Sequence, residues 1–462
     1  MSFRPALLRS RASNIKTETC VFCQSRQFLA SLRRNPFPLS GNGRRVPWAQ
    51  PQRRPYAQPA PGPRVSREQL VRQRTEIDTR NRATFFALAR AEQVLPVDPE
   101  VADSIIAEFL ASISSKKDSG DTIVELASKY RVEIRDLSTL AILTCRIPDA
   151  KEAPVWAPPS EHKNIARVML LGCSKAGDSL ATTHILSALR LRHSVPAALA
   201  ISSIFSATDI RRCRNDLAAL VLKGNPDAMT LEGLFLEQEG KTSQARDMYE
   251  KALTLADTKE GLKNHQTKQD SNNLAMPLIP PWNALGCSLI ADNSPESQKR
   301  AKEVFEVGAL EADDPLSHYH LASFYEKTTS QWLKFMNKAA ASGHVDAMYQ
   351  VANFYLQVRN EKSTLKSLIS KDSDISTALR WVTSWKRDSP RKLAMEWLDI
   401  AARKGHKPSS MTFAKLAEED GDFEKALTRY YEVAAPPPKG QIEEWSKLVP
   451  EARARIQALE RR

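Results

Sequence analysis

Ala339-Ala340-Ala341-Ser342-Gly343-His344-Val345-Asp346-Ala347-Met348 decides the fold, because its first half recurs. The hexamer Ala339-Ala340-x-x-Gly343-His344 returns as Ala401-Ala402-Arg403-Lys404-Gly405-His406, with an aromatic four residues ahead each time, Phe335 and Trp397. A third copy, Tyr430 to Ala434-Ala435, keeps the aromatic and the alanine pair but runs into Pro436-Pro437-Pro438. A small pair followed by a glycine turn ends one helix so that the next can fold back closely. Glycine supplies the left-handed backbone that closes a helix, and alanines let two helix axes approach.

Working outward, Gly224-Asn225-Pro226-Asp227-Ala228 matches Gly343 to Ala347 at its glycine, aspartate and alanine. Apolar spacings of three and four predict amphipathic helices along most of the chain. The pairs are 165–173 with 180–191, 196–205 with 209–222, and 230–238 with 245–253. They continue as 282–290 with 301–309, 316–327 with 331–341, 347–358 with 390–403, and 410–419 with 423–435. Before them, a long exposed helix at about 66–93 and three shorter ones make an N-terminal helical region, 66–150. A proline-rich linker, 151–160, separates it from the array at 161–435. Insertions interrupt the array near 257–281 and 359–389. A stripe of Ile442, Trp445, Leu448, Val449, Ala452, Ile456 and Leu459 predicts a capping helix within 440–462.

Units such as Leu231-Glu232-Gly233-Leu234 running on to Ala252-Leu253 resemble tetratricopeptide repeats, and those ending Ala-Ala-x-x-Gly-His resemble the SEL-like branch of that superfamily. The resemblance covers about 160–435. It implies an all-α, right-handed α-solenoid of antiparallel helix pairs, with Gly224, Ala252, Ala309, Ala339, Ala340, Gly343, Ala401, Ala402, Gly405 and Ala434 as its structural signature. The gaps between the alignable alanines are irregular, and the two longest contain the insertions.

The formal charge of +13 is concentrated at one end. Residues 1–64 hold twelve Lys/Arg against the single acid Glu18, which leaves +2 for the rest of the chain. An Arg-rich, Ser-bearing, acid-poor terminus has the composition of a presequence and resembles the fungal mitochondrial type. Arg54, Tyr56 and Ala57 resemble a matrix-peptidase cleavage site, with maturation before Ala57. The expectation is a leader at 1–56, a disordered linker at 57–65, and residence in the matrix or on the matrix face of the inner membrane. The competing reading is a retained basic arm that binds nucleic acid.

Cys20 and Cys23 form a lone CxxC inside the leader, and Cys145, Cys173, Cys213 and Cys287 are scattered singly. No metal site or cofactor is expected from them. His318 and His320, two apart on a helix, point in different directions. His344 and His406 recur as part of the repeat. No phosphate-binding, dinucleotide, nucleophile-elbow or zinc-protease motif is present, so no catalytic residue is assigned. Trp381 and Trp385 share a helical face beside Arg380, Lys386 and Arg387, a basic-aromatic patch open to a partner or to gap-filling between helices. Taken with the resemblance, this composition leads to the expectation of a non-enzymatic mitochondrial scaffold that grips protein clients on its concave face, as an assembly factor for a respiratory complex does. The alternative is an RNA-binding or ribosome-associated repeat protein, which would need segregated positive charge to hold phosphates.

Overall fold

A computed structural model of the chain describes residues 66–115, 117–149, 158–256, 274–292, 294–327, 329–360, 389–437 and 443–461. The leader, Arg54, Tyr56 and Ala57, most of both insertions, and Trp381, Trp385, Arg380, Lys386 and Arg387 lie outside them. Among the described residues the secondary structure is nineteen α-helices and no strand. The fold is an all-α array of helical pairs, and contacts divide it into two compact units. The first ends at Ala284; the second runs from Leu285 to Pro437 and from Glu443 onward.

The first unit begins with α1 (Arg67–Ala91), α2 (Pro99–Ser114), α3 (Ser119–Tyr130) and α4 (Ile134–Cys145). It continues through α5 (His162–Lys175), α6 (Ser179–Leu191), α7 (Pro196–Ser202), α8 (Ala207–Leu222), α9 (Pro226–Gln238) and α10 (Thr242–Ala256). Ser66 starts α1 through a capping box with Gln69, which satisfies two otherwise orphaned amides. This helix is not uniformly exposed. Arg74, Asp78, Arg82, Phe86 and Ala89 are buried along one face. Arg74 pairs with Asp78 at 2.9 Å and with Asp149 at 3.1 Å, and Arg82 pairs with Asp103. Helix α4 packs directly on α5, so the helices before and after residues 150–157 share a core.

One expected pair is replaced by another. Helix α8 packs on α6 and α9, while the short α7 packs on α6 and forms a corner. The apolar run from Val195 predicts ten helical residues, yet α7 stops at Ser202. Ser202 and Ser203 turn their hydroxyls back onto the carbonyls of Leu199 and Ala200, at 3.1 and 2.7 Å, competing with the helix ladder.

Helix α11 (Pro281–Asp292) spans the boundary between the units. The second unit then follows a regular beat through α12 (Pro295–Leu310), α13 (Pro315–Ala322), α14 (Ser330–Ala341) and α15 (Val345–Asn360). It closes with α16 (Ser389–Arg403), α17 (Lys407–Glu419), α18 (Phe423–Ala434) and α19 (Leu448–Glu460). Each helix from α12 to α18 packs on its successor, and α19 lies on α17 and α18. Helix α13 is shorter than its pattern suggests. Turns follow Ala322 through Tyr325, and Thr329 caps α14. Trp445 likewise precedes α19 and does not belong to it.

Both units use the same device to bring paired helices close. A Cβ on Gly233 would lie 2.3 Å from the buried ring of Tyr249, and one on Gly286 would lie 2.4 Å from that of Phe305. Burying each of these rings contributes about 2–3 kcal/mol. The absent methyl group is what makes room for it.

Candidate functional site

The turn between pairs is built from the hexamer itself. In the second unit the amide of Gly343 donates to Ala340 O at 3.0 Å and that of His344 to Ala339 O at 3.0 Å. Gly405 and His406 repeat these bonds onto Ala402 and Ala401. Gly343 has φ +98° and Gly405 φ +86°, the left-handed backbone that this helix end requires. The alanine pair thus supplies the carbonyls, and Ala339, Ala340, Ala401 and Ala402 are buried. Ala309 and, in the first unit, Ala252 are also buried, while Ala434 is only half-buried. In the first unit Gly224 has φ +78°, and its turn carries the same pair of bonds onto Val221 and Leu220.

The residue after the glycine starts the next helix. His344 Nδ1 accepts from the Ala347 amide at 3.2 Å, so the imidazole does the work of a capping asparagine. Burial holds its pKa down to about 4, which keeps the ring neutral and able to accept. His406 sits at the same place, with Nδ1 2.6 Å from Ser409 Oγ and Nε2 3.2 Å from Asp346 Oδ1. The recurrence of His344 and His406 is therefore architectural. His318 and His320 face different neighbours. The first meets Asp313 at 2.9 Å and stacks near Phe335, and the second stacks on Phe305 with Nε2 3.6 Å from Cys287 Sγ.

These imidazoles belong to an aromatic line that the sequence reading does not anticipate. Tyr319 stacks on His344 with centroids 4.4 Å apart, Tyr349 meets His406 edge-on at 5.3 Å, and Trp445 meets the same His406 at 5.6 Å. The available signal is a tyrosine five residues after the helix cap, in Asp314/Tyr319 and again in His344/Tyr349. Met411 takes that place after His406. Tyr319 and Tyr349 are half-buried, so each presents part of its ring outward. Burial pushes the Tyr319 phenol up, and it stays protonated at neutral pH.

The lysines bordering this line are already engaged. Lys338 pairs with Asp313 at 3.2 Å, Lys404 donates to Gly343 O at 3.2 Å, and Lys407 pairs with Glu443 at 2.6 Å. The result is a row of aromatic and imidazole rings whose bordering lysines are paired. Among the described residues no group of three or more His, Cys, Asp or Glu is placed to hold a metal ion, and no helix is long and apolar enough to cross a membrane.

No protein-family model and no curated protein matches the chain. Among solved structures, it is similar to c5321 of uropathogenic Escherichia coli, described as a protective antigen displaying an SLR fold. The identity is 12%, the match covers 80% of this chain and 79% of that one, and the TM-score is 0.25. At that score the two backbones do not superpose well enough for anything to follow about this chain.

Proposed function

We propose that the protein is a scaffold that holds a protein client against the first helices of its repeats, acting inside mitochondria in the assembly of a respiratory-chain complex. The observation that carries this reading is the ring row Tyr319, His344, Tyr349, His406 and Trp445, with its neighbouring lysines engaged by carboxylates or carbonyls. Half-exposed tyrosines offer large, rigid contact area with little entropy to lose, which suits peptide recognition. A phosphodiester backbone would instead need unpaired cations. The near-neutral charge outside residues 1–64 agrees with a protein client. The leader's composition supports import, with the matrix or the matrix face of the inner membrane as destination.

The test is affinity purification of the tagged chain from mitochondria, with and without RNase, for the wild type and for a Tyr319→Ala/Tyr349→Ala double variant. Respiratory subunits that survive RNase and are lost in the folded double variant support the proposal. Loss of all partners on RNase treatment, or co-sedimentation with ribosomes, points to RNA and contradicts it.

A further inference from the structure

Three hydrogen-bond donors on one stretch of α6 have no acceptor. His184, Ser187 and Arg190 follow one another at three-residue spacing, and His184 and Ser187 are each only 1% exposed. His184 Nδ1 accepts from the Met276 amide at 2.9 Å, so the ring proton sits on Nε2, and that N–H meets nothing. Ser187 Oγ and Arg190 Nε are likewise buried without a partner. A helical hydroxyl ordinarily turns back onto the carbonyl four residues earlier. Thr182 and Thr183 do so toward Asp178 and Ser179, at 3.0 and 2.7 Å, but Ser187 does not.

Positive charge flanks the row, Arg146 at the His184 end and Arg190 itself at the other, where Glu237 opposes it. Arg146, held by donation to Leu274 O, lies behind His184, and burial together with that charge holds the imidazole down to about 3. Burial also lowers Arg190, and Tyr249 and Glu237 act on it in the opposite sense. Buried polar groups are nearly always satisfied, and an unsatisfied cluster of one kind signals a missing complement. Here His184 Nε2–H and Arg190 Nε can only donate and Ser187 Oγ is able to, so an acceptor would complete all three.

We infer that this face of α6 binds a small oxyanion, a carboxylate or phosphate group, with Ser187 Oγ and Arg190 as ligands and the His184 Nε2–H donating from the inner end. Arg190 is half-buried and marks the opening. Long helical side chains lean toward the N-terminus, which brings its guanidinium back toward Ser187. The segment Leu274–Met276, fastened to Arg146 and His184, walls the inner end.

Thermal melting of the full chain in sodium phosphate, sodium acetate and sodium chloride at matched ionic strength tests this site. The expected result is a saturable rise in melting temperature with phosphate or acetate, and which of the two acts identifies the group. Half-saturation should move at least tenfold in Arg190→Gln and in Ser187→Ala. In chloride, Ser187→Ala should melt no lower than the wild type, because it removes an orphaned hydroxyl. A response equal to that in chloride, or one that neither variant changes, overturns the site. So does a crystal structure grown in the active anion with only water against Ser187.

Discussion

Both units close helices with one glycine turn, capped by aspartate at Asp178 and Asp422, but two turns of the second unit finish it with histidine. In the first unit the glycine turn is followed by Asp178 or Asn225, which cap α6 and α9 by accepting from Ala181 and Ala228, each at 2.9 Å. Asp178 also accepts from Ser138 Oγ at 2.6 Å, so its reach to α4 is a hydrogen bond. In the second unit the residues after the glycine at the two Ala-Ala-x-x-Gly turns are histidines: His344 accepts from the Ala347 amide, and His406 meets Ser409 Oγ instead. Their reach to the preceding repeat includes ring contacts with Tyr319 and Tyr349. A carboxylate or amide cap spends its polarity on hydrogen bonds. An imidazole cap adds a flat face on which a neighbouring ring can rest, and that face builds the outward aromatic row.

The largest expected effects strike what the units share. Gly233→Val and Gly286→Val should each cost about 3 kcal/mol or more by driving a side chain into the rings of Tyr249 and Phe305. Urea unfolding measures it. Equal costs would show that both units depend on the same close approach, and a small cost in one would break the parallel.

Acid should then test the His344 cap. His344 has its folded pKa lowered to about 4 against an ordinary 6.5, so the folded state binds fewer protons than the unfolded state between those values. Its stabilising contribution is complete above pH 6.5 and is lost as the pH falls toward 4, by about 3 kcal/mol in all. A pH series of melts on the wild type and on His344→Asn should show a shallower loss in the variant. Parallel curves would remove His344 from the account.

Smaller still is the backbone term. Gly405→Val puts a branched side chain at φ +86°, where nothing lies within 4 Å of its Cβ, so the cost of about 2 kcal/mol is strain alone. Gly405→Asn should recover most of it in the same melt. The smallest effect comes from replacing the ring at the second Ala-Ala-x-x-Gly turn. His406→Asn keeps a side-chain acceptor and loses the contacts with Tyr349 and Trp445, at about 1 kcal/mol, whereas His406→Ala should cost more.

Much of the helical order was legible because it rests on local chemistry. Ser389-Pro390 announces the start of α16, and the alanine pair, glycine and histidine announce the turns. Less legible was anything decided between segments. The hydroxyls of Ser202 and Ser203 shorten α7 and hand its expected partner α8 to α6, and no periodicity reports that competition. The row of Tyr319, Tyr349 and Trp445 was missed because single tyrosines at helical spacing look like core residues until their neighbours are in place. The basic-aromatic patch at Trp381 and Trp385 lies outside the described residues, so nothing in the fold bears on it.

The most direct test of a protein-holding role puts a photo-crosslinking amino acid at position 349 of the full chain and illuminates intact mitochondria. The account predicts one or a few discrete protein adducts that resist RNase and disappear when Tyr319 is also replaced by alanine. Adducts that RNase destroys, or none on a protein that melts like the wild type, would contradict it.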